Sequence, residues 1–243
     1  MICRLITVFV LATALICPVQ AMSSNSPLVA TASGMQFAIR EIARRFYEDT
    51  GIEVRITLGS SGNLYRQIKN NAPFELFISA DNSFIKRLES ENLTLNDSVV
   101  IAKGRLVVFA PHGSPLIPDE HLDGLKNALS KGQITRFAIA SPKHAPYGQR
   151  AKEALQSAKL WEAVKDKLVI GENVAQATQF AVSGTAQGGI IARSLVVVDK
   201  ISNRGQYALL PESWHQPILH SMALLKNADE VTLKFFQYIR SKE

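Results

Sequence analysis

Apolar positions along the chain switch repeatedly between strand spacing and helix spacing. Residues 27–32 form a short apolar run that predicts a strand, and residues 36–48 then place Ile39, Ile42, Ala43 and Phe46 on one face of a helix. Val54, Ile56 and Leu58 alternate over residues 53–58; after the turn Gly59-Ser60-Ser61-Gly62, Leu64, Tyr65 and Ile68 resume helical spacing. A third strand is predicted over 74–79, with Asp81 positioned to cap the helix that follows. Strands alternating with helices in this way predict an α/β fold with a parallel sheet.

Residues 99–110 are a longer β-rich segment, interrupted at Lys103-Gly104 and ended by Pro111-His112-Gly113. A second α/β series then begins, with strands predicted over 135–140, 167–170 and 188–192 and helices over 149–158 and 174–182, the latter capped by Asn173. A strand over 221–225 and a helix over 229–240 close the chain. The predicted architecture is two-lobed, each lobe a mainly parallel sheet flanked by helices. Lobe 1 is expected over 27–108 plus 216–243, and lobe 2 over 109–215 is inserted between them, so that two crossings join the lobes. Ligands of open α/β sheets bind beyond the carboxyl ends of strands, which places the turns after the strands on a shared cleft.

Composition adds the setting. Arg4, an apolar stretch over 5–16 and small residues at Val19 and Ala21 have the layout of a secretory signal, expected over 1–21 and cleaved near Ala21. That stretch is short of the roughly 20 residues a spanning helix requires. Cys3 and Cys17 both fall within the expected signal, and the bulky Ile16 before Cys17 argues against a lipid-modified cysteine. The exported chain then has no thiol, which excludes disulfides and thiolate metal sites. With 47% apolar residues it has the material for a core without them. A formal charge of +6 is spread along the chain without a long basic run, which argues against nucleic acid and favours attraction of small anions. A soluble monomer is expected.

Four turns carry the candidate chemistry. Ser60, Ser61 and Gly62 open one helix, Pro146-Tyr147-Gly148 opens another, Val174 follows the Asn173 cap, and Ser33-Gly34 ends the first strand. Each offers hydroxyls or first-turn N–H groups where the helix dipole is positive, and such ends bind anions. Taken singly, each is also an ordinary turn or cap. Ser61 offers a hydroxyl, Val174 only its N–H; the Tyr147 phenol is a candidate donor, or an aromatic shielding the hinge. None of these groups is charged, so the set suits a fully ionised tetrahedral oxyanion, which only accepts hydrogen bonds. Hydrogen phosphate, which keeps a proton, would need an acceptor that none of the turns supplies.

The run from Leu58 to Ile68 (Leu-Gly-Ser-Ser-Gly-Asn-Leu-Tyr-Arg-Gln-Ile) and that from Ala72 to Asp81 (Ala-Pro-Phe-Glu-Leu-Phe-Ile-Ser-Ala-Asp) closely resemble the periplasmic molybdate-binding proteins of molybdate ABC importers. Ala-Ser-Pro-Lys-His-Ala-Pro-Tyr-Gly from Ala140 to Gly148 and Gly-Glu-Asn-Val-Ala-Gln from Gly171 to Gln176 continue the likeness, which covers nearly the whole chain after the signal. The resemblance implies a two-lobed type II periplasmic binding fold that takes up molybdate or tungstate and delivers it to a membrane permease. It implies no enzyme activity and no cofactor, and it places the molybdenum as an oxyanion rather than as a cation with direct protein ligands. Carried over by position, Ser33 and Ser61 are the first-lobe ligands, and Tyr147 and Val174 the second-lobe contacts. Many family members have a tyrosine where Ala192 stands, and the resemblance implies that Tyr147 compensates.

Three other readings compete. Sulfate or another tetrahedral oxyanion is the nearest. A serine hydrolase would use Ser61 with His144 or His215 as base, although Gly59-Ser60-Ser61-Gly62 is not a Gly-x-Ser-x-Gly elbow. A cation site would use His112 and His121, which flank Asp119 and Glu120 in a Pro-rich loop.

Overall fold

A computed structural model describes residues 26–241, so the expected signal segment and both cysteines lie outside the described residues. The first part of the chain runs β1 (Leu28–Ala32), α1 (Gln36–Thr50), β2 (Arg55–Gly59), α2 (Ser61–Lys69), β3 (Leu76–Ser79), α3 (Asn82–Ser90) and β4 (Val99–Gly104). The second runs β5 (Leu106–Pro111), α4 (Asp123–Ser130), β6 (Phe137–Ala140), α5 (Pro146–Ser157), α6 (Trp161–Val164), β7 (Leu168–Gly171) and α7 (Val174–Val182). It continues with β8 (Gly189–Ala192), α8 (Arg193–Val196), α9 (Asp199–Ser202) and β9 (Gly205–Leu209), before β10 (Ile218–Leu224) and α10 (Glu230–Arg240).

The strands form two five-stranded sheets, ordered β2-β1-β3-β10-β4 and β7-β6-β8-β5-β9. Both are mixed. β1, β2 and β3 are parallel neighbours and β10 runs antiparallel between β3 and β4; β6, β7 and β8 are parallel, and β5 runs antiparallel to β8 and β9. The β-rich segment expected over 99–110 is two strands in different sheets. The chain leaves the first sheet at Arg105, not between 108 and 109, and returns between β9 and β10. Lys103-Gly104 therefore marks a crossing between lobes and not an irregularity within one strand.

Successive strand residues supply both faces of the first sheet. Val29, Leu76, Ile78 and Met222 pack toward α1 and α10, whereas Ala30, Phe77 and Ala223 pack toward α2 and α3. Burial on both faces is why β1 and β3 read as mostly apolar runs. The C-terminal helix is tied to the first through Phe46 and Phe235, whose rings meet edge-on with centroids 5.0 Å apart. The second lobe has its own core around Phe109, Phe137 and Ile190, and this cluster extends to Ala32, Ala80 and Ile218 of the first lobe, so the lobes share apolar contact beneath the cleft.

Candidate functional site

Strand register brings the four turns together. Ala32 pairs with Gly59 at the ends of β1 and β2, which sets Ser33 beside the Ser60-Ser61 turn. Ala140 pairs with Gly171 at the ends of β6 and β7, which sets the starts of α5 and α7 side by side in the other lobe. The two pairs of turns then meet across the cleft. The N–H of Ala175 at the start of α7 donates to Ser33 Oγ at 3.3 Å, and the N–H of Gly62 donates to the carbonyl of His144, just before α5, at 2.9 Å. Ser33, Ser61, Tyr147 and Val174 are all buried.

Each turn is held by its own local chemistry. Asn173 caps α7 by accepting the N–H groups of Ala175 and Gln176 at 3.0 and 3.1 Å, a cap that leaves Val174 N–H unengaged. Pro146 occupies the first turn of α5 in extended-to-helical transition, and the following N–H of Tyr147 has no carbonyl available within the helix. Ser61 Oγ accepts the N–H of Ala80 at 2.9 Å, so its own proton stays available to donate. Asp81, as expected, caps α3 through Ser83 N–H at 2.8 Å.

Tyr147 is the exception among the four. Its phenol lies 3.1 Å from His220 Nε2 on β10 and its ring packs against Gly34 beside Ser33, while its backbone N–H opens α5. Ala192 is buried at the end of β8, and the Tyr147 phenol lines a small cavity with Arg193 and Ser194, which directly follow Ala192.

Ser60 and His144 form a clasp that sequence reasoning missed. The Ser60 hydroxyl is 3.0 Å from His144 Nδ1 across the cleft, and burial, helped by the nearby Arg66 cation, lowers the His144 pKa from its ordinary value. At its edge the cleft is crossed again by Asn63, which donates to Glu172 at 2.5 Å, and by Arg150 of α5, which reaches Asp81 at 3.3 Å. These pairs are separated by 69 to 109 residues in sequence, and no local pattern announces such contacts.

The nucleophile–base pair of the hydrolase reading is not assembled. His144 engages Ser60 and not Ser61, while His215 Nδ1 donates to the Gln216 carbonyl at 2.7 Å. His112 Nε2 lies 3.1 Å from the Asn203 carbonyl and His121 from Glu120 at 3.3 Å; among the described residues no group of three or more His, Cys, Asp or Glu is placed to hold a metal ion.

Residues 27–243 match the family described as bacterial extracellular solute-binding protein. The molybdate-binding protein ModA of Azotobacter vinelandii is 35% identical over 198 residues, covering 81% of this chain and 76% of its own length. That of Rhodobacter capsulatus is 32% identical over 224 residues, covering 91% and 85%. The chain belongs to the ModA family. ModA proteins are solute-binding transport components and not enzymes. The solved A. vinelandii periplasmic molybdate-binding protein shares the fold with a TM-score of 0.79 at 26% identity, over 89% of this chain and 92% of that one. No helix among the described residues is long and apolar enough to cross a membrane.

Proposed function

We propose that this protein captures molybdate, and tungstate with it, between its lobes outside the cytoplasmic membrane and hands the anion to the permease of an ABC importer. The observation that supports the reading is that the buried, uncharged starts of α2, α5 and α7 and the Ser33 turn are tied across the cleft by Ala175 N–H to Ser33 Oγ and Gly62 N–H to the His144 carbonyl. A dianion with no proton to donate is matched by such a set, because every protein group supplies a hydrogen and the two helix starts add favourable dipoles. The ligands are the hydroxyls of Ser33 and Ser61 and the backbone N–H groups of Tyr147 and Val174. The names of the family relatives support molybdate as the anion. Periplasmic release after cleavage near Ala21, and action as a monomer, belong to the same reading.

Calorimetric titration of the purified protein with molybdate, tungstate, sulfate and phosphate tests it. Tight binding of the first two is expected, and binding of sulfate without either of them would replace the proposal with the sulfate alternative. Ser61→Ala removes a hydrogen bond to a charged ligand, worth about 2 kcal/mol, and is expected to weaken molybdate roughly thirtyfold. Unchanged affinity in that variant would move the site elsewhere.

A further inference from the structure

The phenol of Tyr147 and the imidazole of His220 are buried at the hinge, outside the donor set assigned to the anion. Tyr147 belongs to α5 in lobe 2, and His220 to the antiparallel strand β10 of lobe 1, yet the two side chains lie within hydrogen-bond distance at 3.1 Å, with ring centroids 5.9 Å apart. His220 stands at the irregularity in β10 where pairing with β4 shifts between His220 and Ser221. A bulge of this kind re-aims a side chain, and here it accompanies the imidazole turned to the hinge.

The surrounding chain makes room for the phenol. A Cβ at Gly34 would stand 2.7 Å from Tyr147 Cε2, and one at Gly104 would collide with the hydroxyl itself, so the ring fills space that any other residue at those positions would occupy. Gly104 ends β4 immediately before the first crossing, and Gly34 directly follows the ligand residue Ser33. Ser194 of lobe 2 donates to the Gly34 carbonyl at 2.7 Å, fixing the same turn from the other side. The Tyr147 side chain thus touches both the crossing and the Ser33 turn, while its own backbone N–H opens α5.

We propose that the Tyr147–His220 hydrogen bond is a hinge latch that sets the distance between the lobe 2 helix start and the Ser33 turn, making both residues positioning residues for oxyanion capture. The inference rests on the cleft being the anion site. Burial supports a neutral pair: it pushes the phenol pKa up and holds His220 down at about 4, so the bond is intact at neutral pH. The titratable groups that line the small cavity beside His220 are Lys103, Arg105, Arg193 and Tyr147, and Glu212, in the turn after β9, pairs with Lys103 and Arg105. None of the lining residues is a carboxylate that would stabilise an imidazolium there.

Tyr147→Phe keeps the ring, its packing and the backbone N–H, and removes only the hydroxyl. Molybdate affinity measured by calorimetry at neutral pH is expected to fall about tenfold, the equivalent of one buried hydrogen bond. His220→Leu is expected to fall by a similar factor, whereas His220→Gln, which restores a polar partner, recovers most of the wild-type affinity. Small-angle scattering of the molybdate-saturated proteins is expected to show Tyr147→Phe less compact than wild type, a change that loss of packing stability alone would not produce. Wild-type affinity and compactness in Tyr147→Phe would overturn the latch. Absence of molybdate binding by the wild-type protein would instead overturn the functional reading beneath it.

Discussion

At the scale of single residues, neighbours in sequence divide their work between the lobes. Ser60 reaches across the cleft to His144, while Ser61 turns inward, where its oxygen takes the Ala80 N–H. The sequence marks both serines as helix-start donors, because local chemistry alone defines that property. It does not show which of them faces which lobe, and it does not show that the Tyr147 phenol meets His220, a contact 73 residues distant. His220 also makes stability depend on pH. Its folded pKa is lowered from 6.5 to about 4 by burial, so between those values the unfolded chain carries a proton that the folded one refuses. The unfolded state therefore binds more protons in that window, and stability rises with pH across it by at most about 3 kcal/mol. Urea unfolding near pH 4.5 and near pH 7 is expected to show this rise in wild type and a smaller one in His220→Gln; equal slopes would mean that His220 titrates normally.

Elements were legible where one residue pattern governed them. The helix expected over 174–182 is α7, with the Asn173 cap in place, because the capping side chain and the apolar face agree. β9 was missed because it is an edge strand with its side chains largely exposed, so it carries no apolar alternation to read. The division of residues 99–110 between β4 and β5 was equally hidden, since a run of β-formers looks alike whether it stays in one sheet or passes into another. For α7 the cap has a second effect beyond helix stability. Asn173→Ala is expected to cost about 1 kcal/mol in thermal or urea unfolding of the ligand-free protein. It is also expected to weaken molybdate binding severalfold, because the helix start that carries Val174 N–H then frays. Stability lost with affinity kept would place the anion away from that helix.

On the scale of the whole molecule, the lobes are joined by two crossings, a shared apolar floor and a rim of polar contacts. Arg150 is the most buried of the rim cations, bonded to Glu153 at 2.6 Å within its own helix and to Asp81 at 3.3 Å in the other lobe. Arg150→Ala is expected to destabilise the protein by about 1–2 kcal/mol, less than a fully buried pair would, because both carboxylates keep some water. Thermal melts with and without molybdate check this; the loss is expected to be larger with the anion bound, when the lobes depend on each other, and an equal loss in both would confine Arg150 to its own helix.

Strand order has a consequence for how the chain comes into being. β10 lies between β3 and β4, yet it is the last strand in the sequence. A polypeptide emerging from its N-terminus, through a ribosome or a membrane channel, carries β1 to β4 without the strand that knits β4 to the rest. The pairings that complete the first sheet are therefore more distant along the chain than any other strand pairing, and such long-range pairings are slow to form. Nearly the entire sequence must appear before that sheet is whole.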